Sequence, residues 1–216
     1  MEGLRATFSS RPLFTITFTG ALSNFAVAAQ SAVLFVFLID TLEHTEVVVG
    51  VTLAVSSLGA LIGAASTAWI SNRIGSRWAW MWSLILTPLA ALLIPAAVGP
   101  ASIVMVGIGF SIQALLLVIA NVNALSARQA ICPPHLIGRV SSVFMFITWG
   151  LIPLGLLAGG VLGNAAGNRT ALWIISGMFA VPAVASLLAP LKKVKNFAEL
   201  ADEAGNHQTS DHVTVR

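Results

Sequence analysis

The stretch SARQAICPPHLIGRV, residues 126–140, separates two long apolar runs at residues 101–125 and 140–162. A helix rises 1.5 Å per residue, so each run is long enough to cross the roughly 30 Å hydrocarbon core of a bilayer. The stretch itself gathers Arg128, Gln129, His135 and Arg139 around a Pro-Pro pair. Its polarity predicts a connection at the membrane surface rather than a catalytic cluster.

Composition extends this interpretation to the whole chain. Charged residues make up 9% of 216 positions, whereas a soluble domain has about a quarter. The first apolar run has about 27 residues, well beyond the 7 to 15 of a signal-peptide core, and is expected to be retained. We predict an all-α membrane protein with six transmembrane helices in a domain of residues 12–191. The six apolar runs are residues 12–38, 47–70, 79–98, 101–125, 140–162 and 170–191.

The basic residues predict how these helices are oriented. Nine of the eleven lysines and arginines fall on one side of the predicted membrane, while Arg169 and an acidic loop fall on the other. Lysine and arginine are retained on the cytoplasmic face, so we expect a multi-pass plasma (inner) membrane protein with both termini cytoplasmic. Residues 1–11 are then a cytoplasmic segment, and residues 192–216 a basic and then disordered tail. The charge is spread along the chain rather than gathered in a patch, which argues against binding of nucleic acid.

Small residues indicate an internal repeat. The second predicted helix contains Gly59 and Gly63, and the third contains Pro88. The fifth helix has glycines at the same spacing, and the sixth contains Pro182. The chain is therefore interpreted as a 3+3 inverted repeat, although helix-packing ridges alone could produce the pattern. The predicted helix-packing glycines are Gly59, Gly63, Gly155, Gly159 and Gly163.

Amide side chains within the spans need a partner or a water-lined cavity. Asn24 and Gln113 each lie about twelve residues from the start of a span, so both are expected near the midplane, where transporters place substrate sites. Interhelical hydrogen bonding is the competing explanation for each amide. Trp149 is interpreted as a packing residue, with a pathway-lining role as the alternative. The substrate-pathway candidates are Asn24, Gln30, Gln113, Asn121, Asn123 and Trp149.

Reactive groups are missing from the predicted spans. All eight acidic residues lie outside or at the edge of the membrane, and Cys132 is the sole cysteine, which excludes an intramolecular disulfide or a cysteine-based metal cluster. No nucleophile motif or zinc-binding helix motif is present. We therefore expect a protein that is not an enzyme and that needs no cofactor or metal.

The segment from Asn121 to Arg139, followed by Trp149-Gly150-Leu-Ile-Pro153-Leu-Gly155, resembles the C-terminal half of a major facilitator superfamily transporter. It is most similar to bacterial drug, macrolide and siderophore exporters, with Cys132 in place of the usual Thr. The resemblance covers residues 3–191. It implies that a set of loop residues ends and restarts two helices at the cytoplasmic surface, namely Arg128, Gln129, Gly138 and Arg139.

A second segment, Asn72-Arg73-Ile74-Gly75-Ser76-Arg77, is similar to the superfamily loop Asp-Arg-x-Gly-x-Arg. Asn72 stands where the acid would be, and Ala68 where an earlier glycine would be. The missing acid argues against a gating ion pair through this loop. Arg73 and Arg77 keep the anchoring positions, and Gly75 keeps the turn position.

The resemblance also implies a function. In this superfamily the first and fourth helices of each half line the central cavity, and these are the helices that contain the amides. Members normally have twelve helices, and Met1-Glu-Gly-Leu-Arg resembles the end of the loop that joins two halves. We expect half of a secondary-active exporter of small organic or drug-like molecules, working by alternating access. Its partners would be the lipid bilayer, a small-molecule substrate and an N-terminal six-helix half or a homodimer mate. The alternatives are a non-transporting membrane scaffold or regulatory subunit, or a truncated inactive fragment.

Overall fold

The computed structural model describes residues 2–132 and 134–188, and over these residues the chain is helical without a strand. The helix α2 continues directly into a π-helix, Phe37–Thr41, and a 3-10 turn, Pro134–Leu136, precedes α6. The predicted tail at residues 192–216 lies outside the described residues. The described α-helices are α1 Glu2–Ser9, α2 Arg11–Val36, α3 Glu46–Ile74, α4 Ser76–Leu92, α5 Ser102–Ile131, α6 Ile137–Ala166, α7 Asn168–Met178 and α8 Ala180–Leu187.

Five helical segments of the described chain are long and apolar enough to cross a membrane, one fewer than predicted. The predicted third span is the difference, because α4 has 17 residues and is about 26 Å long, shorter than a typical hydrocarbon core. The five segments are Arg11–Thr41, Glu46–Ile74, Ser102–Ile131, Ile137–Ala166 and Asn168–Leu187.

Proline explains why the last of these segments is broken. Pro182 lacks an N–H group and its ring clashes with the carbonyl four residues earlier, which belongs to Met178. α7 ends at Met178, and α8 begins at Ala180. Pro88 also lies inside a helix, yet α4 runs through it without interruption. The two prolines therefore have different effects on their helices.

Hydrogen bonds between loops and helix ends show which ends of the helices lie together. His44 Nε2 and Ser102 Oγ are 3.0 Å apart, which joins the end of the first segment to the start of α5. Arg169 Nη1 donates to the carbonyl of Pro95 at 3.0 Å, so α7 begins at the same end. We call this the acidic end, defined by Asp40, Glu43 and Glu46. At the opposite, basic end, defined by Arg11, Arg73, Arg77 and Arg128, the side chains of Leu13, Cys132 and Val140 pack together.

Four of the predicted packing glycines lie at close backbone contacts. A Cβ added to Gly155 would lie 2.5 Å from the carbonyl oxygen of Phe25, and one added to Gly159 would overlap the backbone of Ala29. Side chains cannot fit there, so α6 and α2 meet backbone to backbone.

The same arrangement occurs between α3 and α5. A Cβ on Gly59 would overlap Ser111, and one on Gly63 would lie 2.7 Å from the carbonyl oxygen of Leu115. In both helix pairs, successive glycine contacts are therefore four residues apart on each of the two helices. Gly163 is looser, since its nearest neighbour would be Asn168 Oδ1 at 3.3 Å.

Tryptophans divide between surface and interior. Trp69, Trp82 and Trp173 are exposed, as expected for residues at a membrane interface. Trp80 is 2% exposed and packs in the core with Ile16 and Leu84. Trp80 is therefore a core residue rather than an interface residue.

The N-terminal segment has more structure than the sequence indicated. α1, Glu2–Ser9, packs beside α2 and α6, and the ring of Phe8 lies 5.6 Å from that of Phe14. Most of the described part of this segment, Glu2–Ser9, is thus a short helix.

Candidate functional site

A buried polar contact joins α2 and α5. Gln113 Nε2 donates to Gln30 Oε1 at 2.7 Å, and the two residues are 2% and 1% exposed. Gln30 Nε2 and Gln113 Oε1 have no hydrogen-bond partner among the described residues. The pair therefore ties α2 to α5 through one hydrogen bond and leaves one donor and one acceptor unused.

Asn24 contacts α6 rather than α5. Its Nδ2 donates to the carbonyl of Thr148 on α6 at 3.4 Å, and the Thr148 hydroxyl donates to the carbonyl of Phe144 at 2.7 Å. Asn24 thus reaches α6, and Gln30 is the residue that meets Gln113.

The two asparagines of α5 have separate environments. Asn123 is 2% exposed, donates to the carbonyl of Ile119 at 2.9 Å and accepts from Ser71 at 2.9 Å. These contacts tie α5 to α3. Asn121 is exposed and lines a small cavity between helices.

This cavity has a volume of about 20 Å³, close to what one water-sized group needs. Its polar wall consists of Thr19, Ser23 and Asn121, and its apolar wall includes Trp80 and Phe144. Ser23 Oγ is buried and has no hydrogen-bond partner among the described residues. The cavity therefore has a hydrogen-bonding group, Ser23 Oγ, that the described part of the chain does not use.

Arg128 lies beside that cavity. Its guanidinium carbon is 3.4 Å from the centroid of the Phe144 ring, and its Nε and Nη1 are buried without an acceptor in the described chain. The sequence indicated a surface loop residue here, yet Arg128 is in the last turn of α5 and partly buried. Ring stacking by Arg128 and the role of Ser23 were not predicted. A basic residue near a helix end and an aromatic residue early in the next helix form a common sequence pattern. The pattern therefore did not predict this contact.

The other predicted loop residues lie at the surface of the basic end. Arg73 and Arg77 stack over Trp69 and Trp78 at 5.4 and 5.1 Å. Gly75 has a φ of 93°, a conformation favourable to glycine, and is the one residue between α3 and α4. Gln129, Gly138 and Arg139 are exposed, the first near the end of α5 and the others in the first turn of α6.

Trp149 does not pack in the interior of the described chain. It is 66% exposed on α6, so the packing interpretation is wrong for contacts within this chain. Its neighbour Gly150 has no heavy atom within 4 Å of an added Cβ, which leaves this part of the α6 surface open.

Larger grooves lie away from the predicted substrate-pathway residues. An apolar groove of about 390 Å³ runs between α3 and α5 at the acidic end, lined by Val51, Val55 and Ile108 among others. A second, of about 370 Å³, lies between α2 and α6 and includes Asn164 and Asn168. Sequence reasoning gave no signal for either groove, since both depend on how neighbouring helices diverge.

Comparison with known proteins gives one relative to report. The chain is 29% identical over 199 residues to the multidrug efflux pump Tap of Mycolicibacterium fortuitum, a match covering 90% of this chain and 47% of the pump. The chain thus spans about half the length of this curated relative. No protein-family model matches the chain, and no solved structure matches it. Together with the apolar helices, this similarity indicates a multi-pass membrane protein.

Proposed function

We propose that the protein is one six-helix half of a secondary transporter with the major facilitator fold, exporting small organic or drug-like molecules by alternating access. The similarity to a multidrug efflux pump over 199 residues is the observation on which this proposal chiefly rests. The apolar spans support transport rather than enzymatic chemistry.

Six spans are proposed because α4 is followed by turns that remain apolar through Ala97. Leu93, Ile94 and Ala96 extend the segment beyond the 17 helical residues. Seventeen residues is also the lower limit for a transmembrane helix, and a helix packed against neighbours tolerates such a length.

The glycine contacts support an inverted 3+3 repeat. Gly59 and Gly63 meet Ser111 and Leu115, while Gly155 and Gly159 meet Phe25 and Ala29. Exchanging α2 with α5 and α3 with α6 converts one set of contacts into the other. Ridge packing alone also gives four-residue steps, so the support for the repeat lies in this exchange of helix pairs.

A partner half is proposed from the surfaces of α3 and α6. Each buries a narrow stripe of residues spaced about one or two turns apart, such as Gly59 and Gly63 on α3 and Thr148 and Gly155 on α6. The rest of each helix is apolar and exposed, including Leu157 at 68%. A second six-helix unit, or a second copy of this chain, would cover part of this surface. Lipid would cover the remainder.

Reconstitution tests the proposal. We expect proteoliposomes that contain this chain alone to show no flux of ethidium or fluorescein, a cationic and an anionic dye, and we expect flux when a matching N-terminal half is added. An unrelated six-helix half serves as the control for nonspecific leakage. Robust flux through the chain alone would refute the half-transporter proposal.

A second test asks whether the amides contact substrate. In the assembled protein, Gln113→Ala and Asn24→Ala are expected to change selectivity between the two dyes. A reduced yield of folded protein with unchanged selectivity would instead assign both residues to helix packing.

A non-transporting membrane subunit is the second candidate, and one observation favours it. Gln30 and Gln113 hydrogen-bond to each other, and Asn123 accepts a hydrogen bond from Ser71 on α3, so these amides are used between helices rather than exposed to a large cavity. Absence of flux with every partner half, together with a stable complex, would support this candidate.

A further inference from the structure

Arg128 is a stacked cation whose Nε and Nη1 have no acceptor among the described residues. Its guanidinium lies 3.4 Å from the Phe144 ring centroid, a contact that favours the positive charge. A ring face cannot accept the in-plane hydrogen bonds of Nε and Nη1, and both atoms are buried without an acceptor in the described chain. Buried hydrogen-bonding groups on a charged side chain are costly when they have no partner.

The same helix face connects Arg128 to the small cavity. Asn121 and Ala124 line the cavity, and Arg128 follows them by seven and four residues, so all three lie on one side of α5. Phe144 belongs to the cavity wall and also contacts Arg128. The guanidinium therefore lies at the rim, with Ser23 and Thr19 deeper inside.

Gly20 fixes the ring that supports Arg128. A Cβ added to Gly20 would lie 3.2 Å from Cε2 and Cζ of Phe144. The glycine thus allows the ring to lie against α2, where it forms both the wall of the cavity and the platform for the guanidinium.

The described chain offers Arg128 no counter-ion. The carboxylates whose side chains are described are Asp40, Glu43 and Glu46, and all three lie at the acidic end, the far end of the bundle. The neutral polar residues around the cavity can donate to an anion but cannot neutralise Arg128. A cationic ligand would be repelled at this position.

We propose that this site binds the carboxylate group of a small organic acid. Arg128 pairs with the carboxylate in a charge-assisted hydrogen bond, and one carboxylate oxygen enters the cavity of about 20 Å³ beside Ser23 and Asn121. Trp80 and Phe144 wall the cavity around that oxygen, so the body of the ligand stays outside the rim. The inference deepens the proposed function because it names the charge class of the ligand, but binding at this site does not require transport.

Binding to the full chain in phosphatidylcholine nanodiscs tests the site. Isothermal titration with naphthalene-2-carboxylate and with 2-naphthylmethylammonium compares ligands that share an aromatic ring and differ in charge. We expect the carboxylate to bind at least tenfold more tightly, and we expect Arg128→Gln to remove that preference. Arg77→Gln is the matched control, since it removes a cation stacked over Trp78 at the same end of the bundle but away from the cavity.

Several outcomes would overturn the site. These are equal binding of the two ligands, an unchanged preference in Arg128→Gln, or carboxylate binding that appears only after residues 196–216 are removed. The last result would show that an acidic residue of the chain's own tail occupies Arg128. Phe144→Leu keeps the charge and removes the platform, so it must weaken carboxylate binding if the variant elutes as folded protein. Failure of flux with intact carboxylate binding would count against transport alone.

Discussion

Two glutamines show how much a single residue decides in a bundle with few polar contacts. Gln30 and Gln113 form one hydrogen bond where two facing amides could form two, and both are almost completely buried. Within an apolar bundle an unpaired amide group is unfavourable, so each glutamine depends on the other. The contact makes the α2–α5 interface sensitive to removal of either side chain.

This dependence predicts non-additive substitutions. Gln30→Met or Gln113→Met alone is expected to lower the free energy of unfolding by about 1–3 kcal/mol, because the remaining amide loses its partner. The double substitution should cost less than the sum of the two, with a coupling of roughly 0.5–1.7 kcal/mol. Steric-trapping measurements in bicelles give all three values. Strictly additive effects would show that the hydrogen bond contributes nothing.

The sequence predicted the depth of these amides but not their partners. Asn24 and Gln113 were both expected near the midplane, and in the structure Asn24 reaches Thr148 while Gln30 reaches Gln113. Helical periodicity gives the face and the depth of a residue, but it does not give the relative rotation of two helices in contact. The buried, unpartnered Ser23 and the stacking of Arg128 depend on that rotation as well, so neither could be predicted.

At the scale of helices, the glycine contacts make a sharp comparison possible. Gly159 and Gly160 are adjacent on α6, but an added Cβ would overlap Ala29 at the first and meet nothing within 4 Å at the second. We expect Gly159→Ala to destabilise the protein by about 1–3 kcal/mol through overpacking, and Gly160→Ala to be neutral or stabilising. Thermal unfolding in detergent measures both.

α3 provides an independent check of the same principle. Gly59→Ala should behave like Gly159→Ala, and Gly50→Ala, which adds a Cβ in open space, should behave like Gly160→Ala. Equal effects at all four positions would mean that helix propensity, rather than close backbone approach, determines the result.

Helix extents were mostly predictable, and the exceptions have local causes. Long apolar runs fixed α2, α3, α5 and α6 within a few residues. α1 was missed because eight polar and apolar residues are too few to show a clear period. The break before Pro182 followed from proline chemistry, yet Pro88 sits in a continuous helix, so the sequence alone did not separate the two cases.

For the whole molecule, the segregation of charge makes a topological prediction. In a Cys132→Ser background, Glu46→Cys at the acidic end should react with an impermeant maleimide on intact cells. His135→Cys, exposed at the basic end, should react only after permeabilisation, because basic residues are retained inside. The reverse pattern would contradict a cytoplasmic location of the basic end.

The native cysteine is a control for that experiment. Cys132 is 5% exposed, and burial raises the pKa of its thiol, which keeps it protonated near neutral pH. The unmodified chain should therefore be labelled slowly on either side of the membrane. Rapid labelling of Cys132 would show that its packing with Leu13 and Val140 is not maintained.

The pairing of Gln30 with Gln113 also has a consequence for synthesis of the chain. The two residues are 83 positions apart, and ribosomes add about 5–20 residues per second, so Gln30 is made roughly 4–17 seconds before its partner. During that interval the first helix has already emerged, and its amide faces lipid or the insertion machinery. Translation speed between the two codons thus sets how long the nascent protein presents an unpaired amide to the membrane.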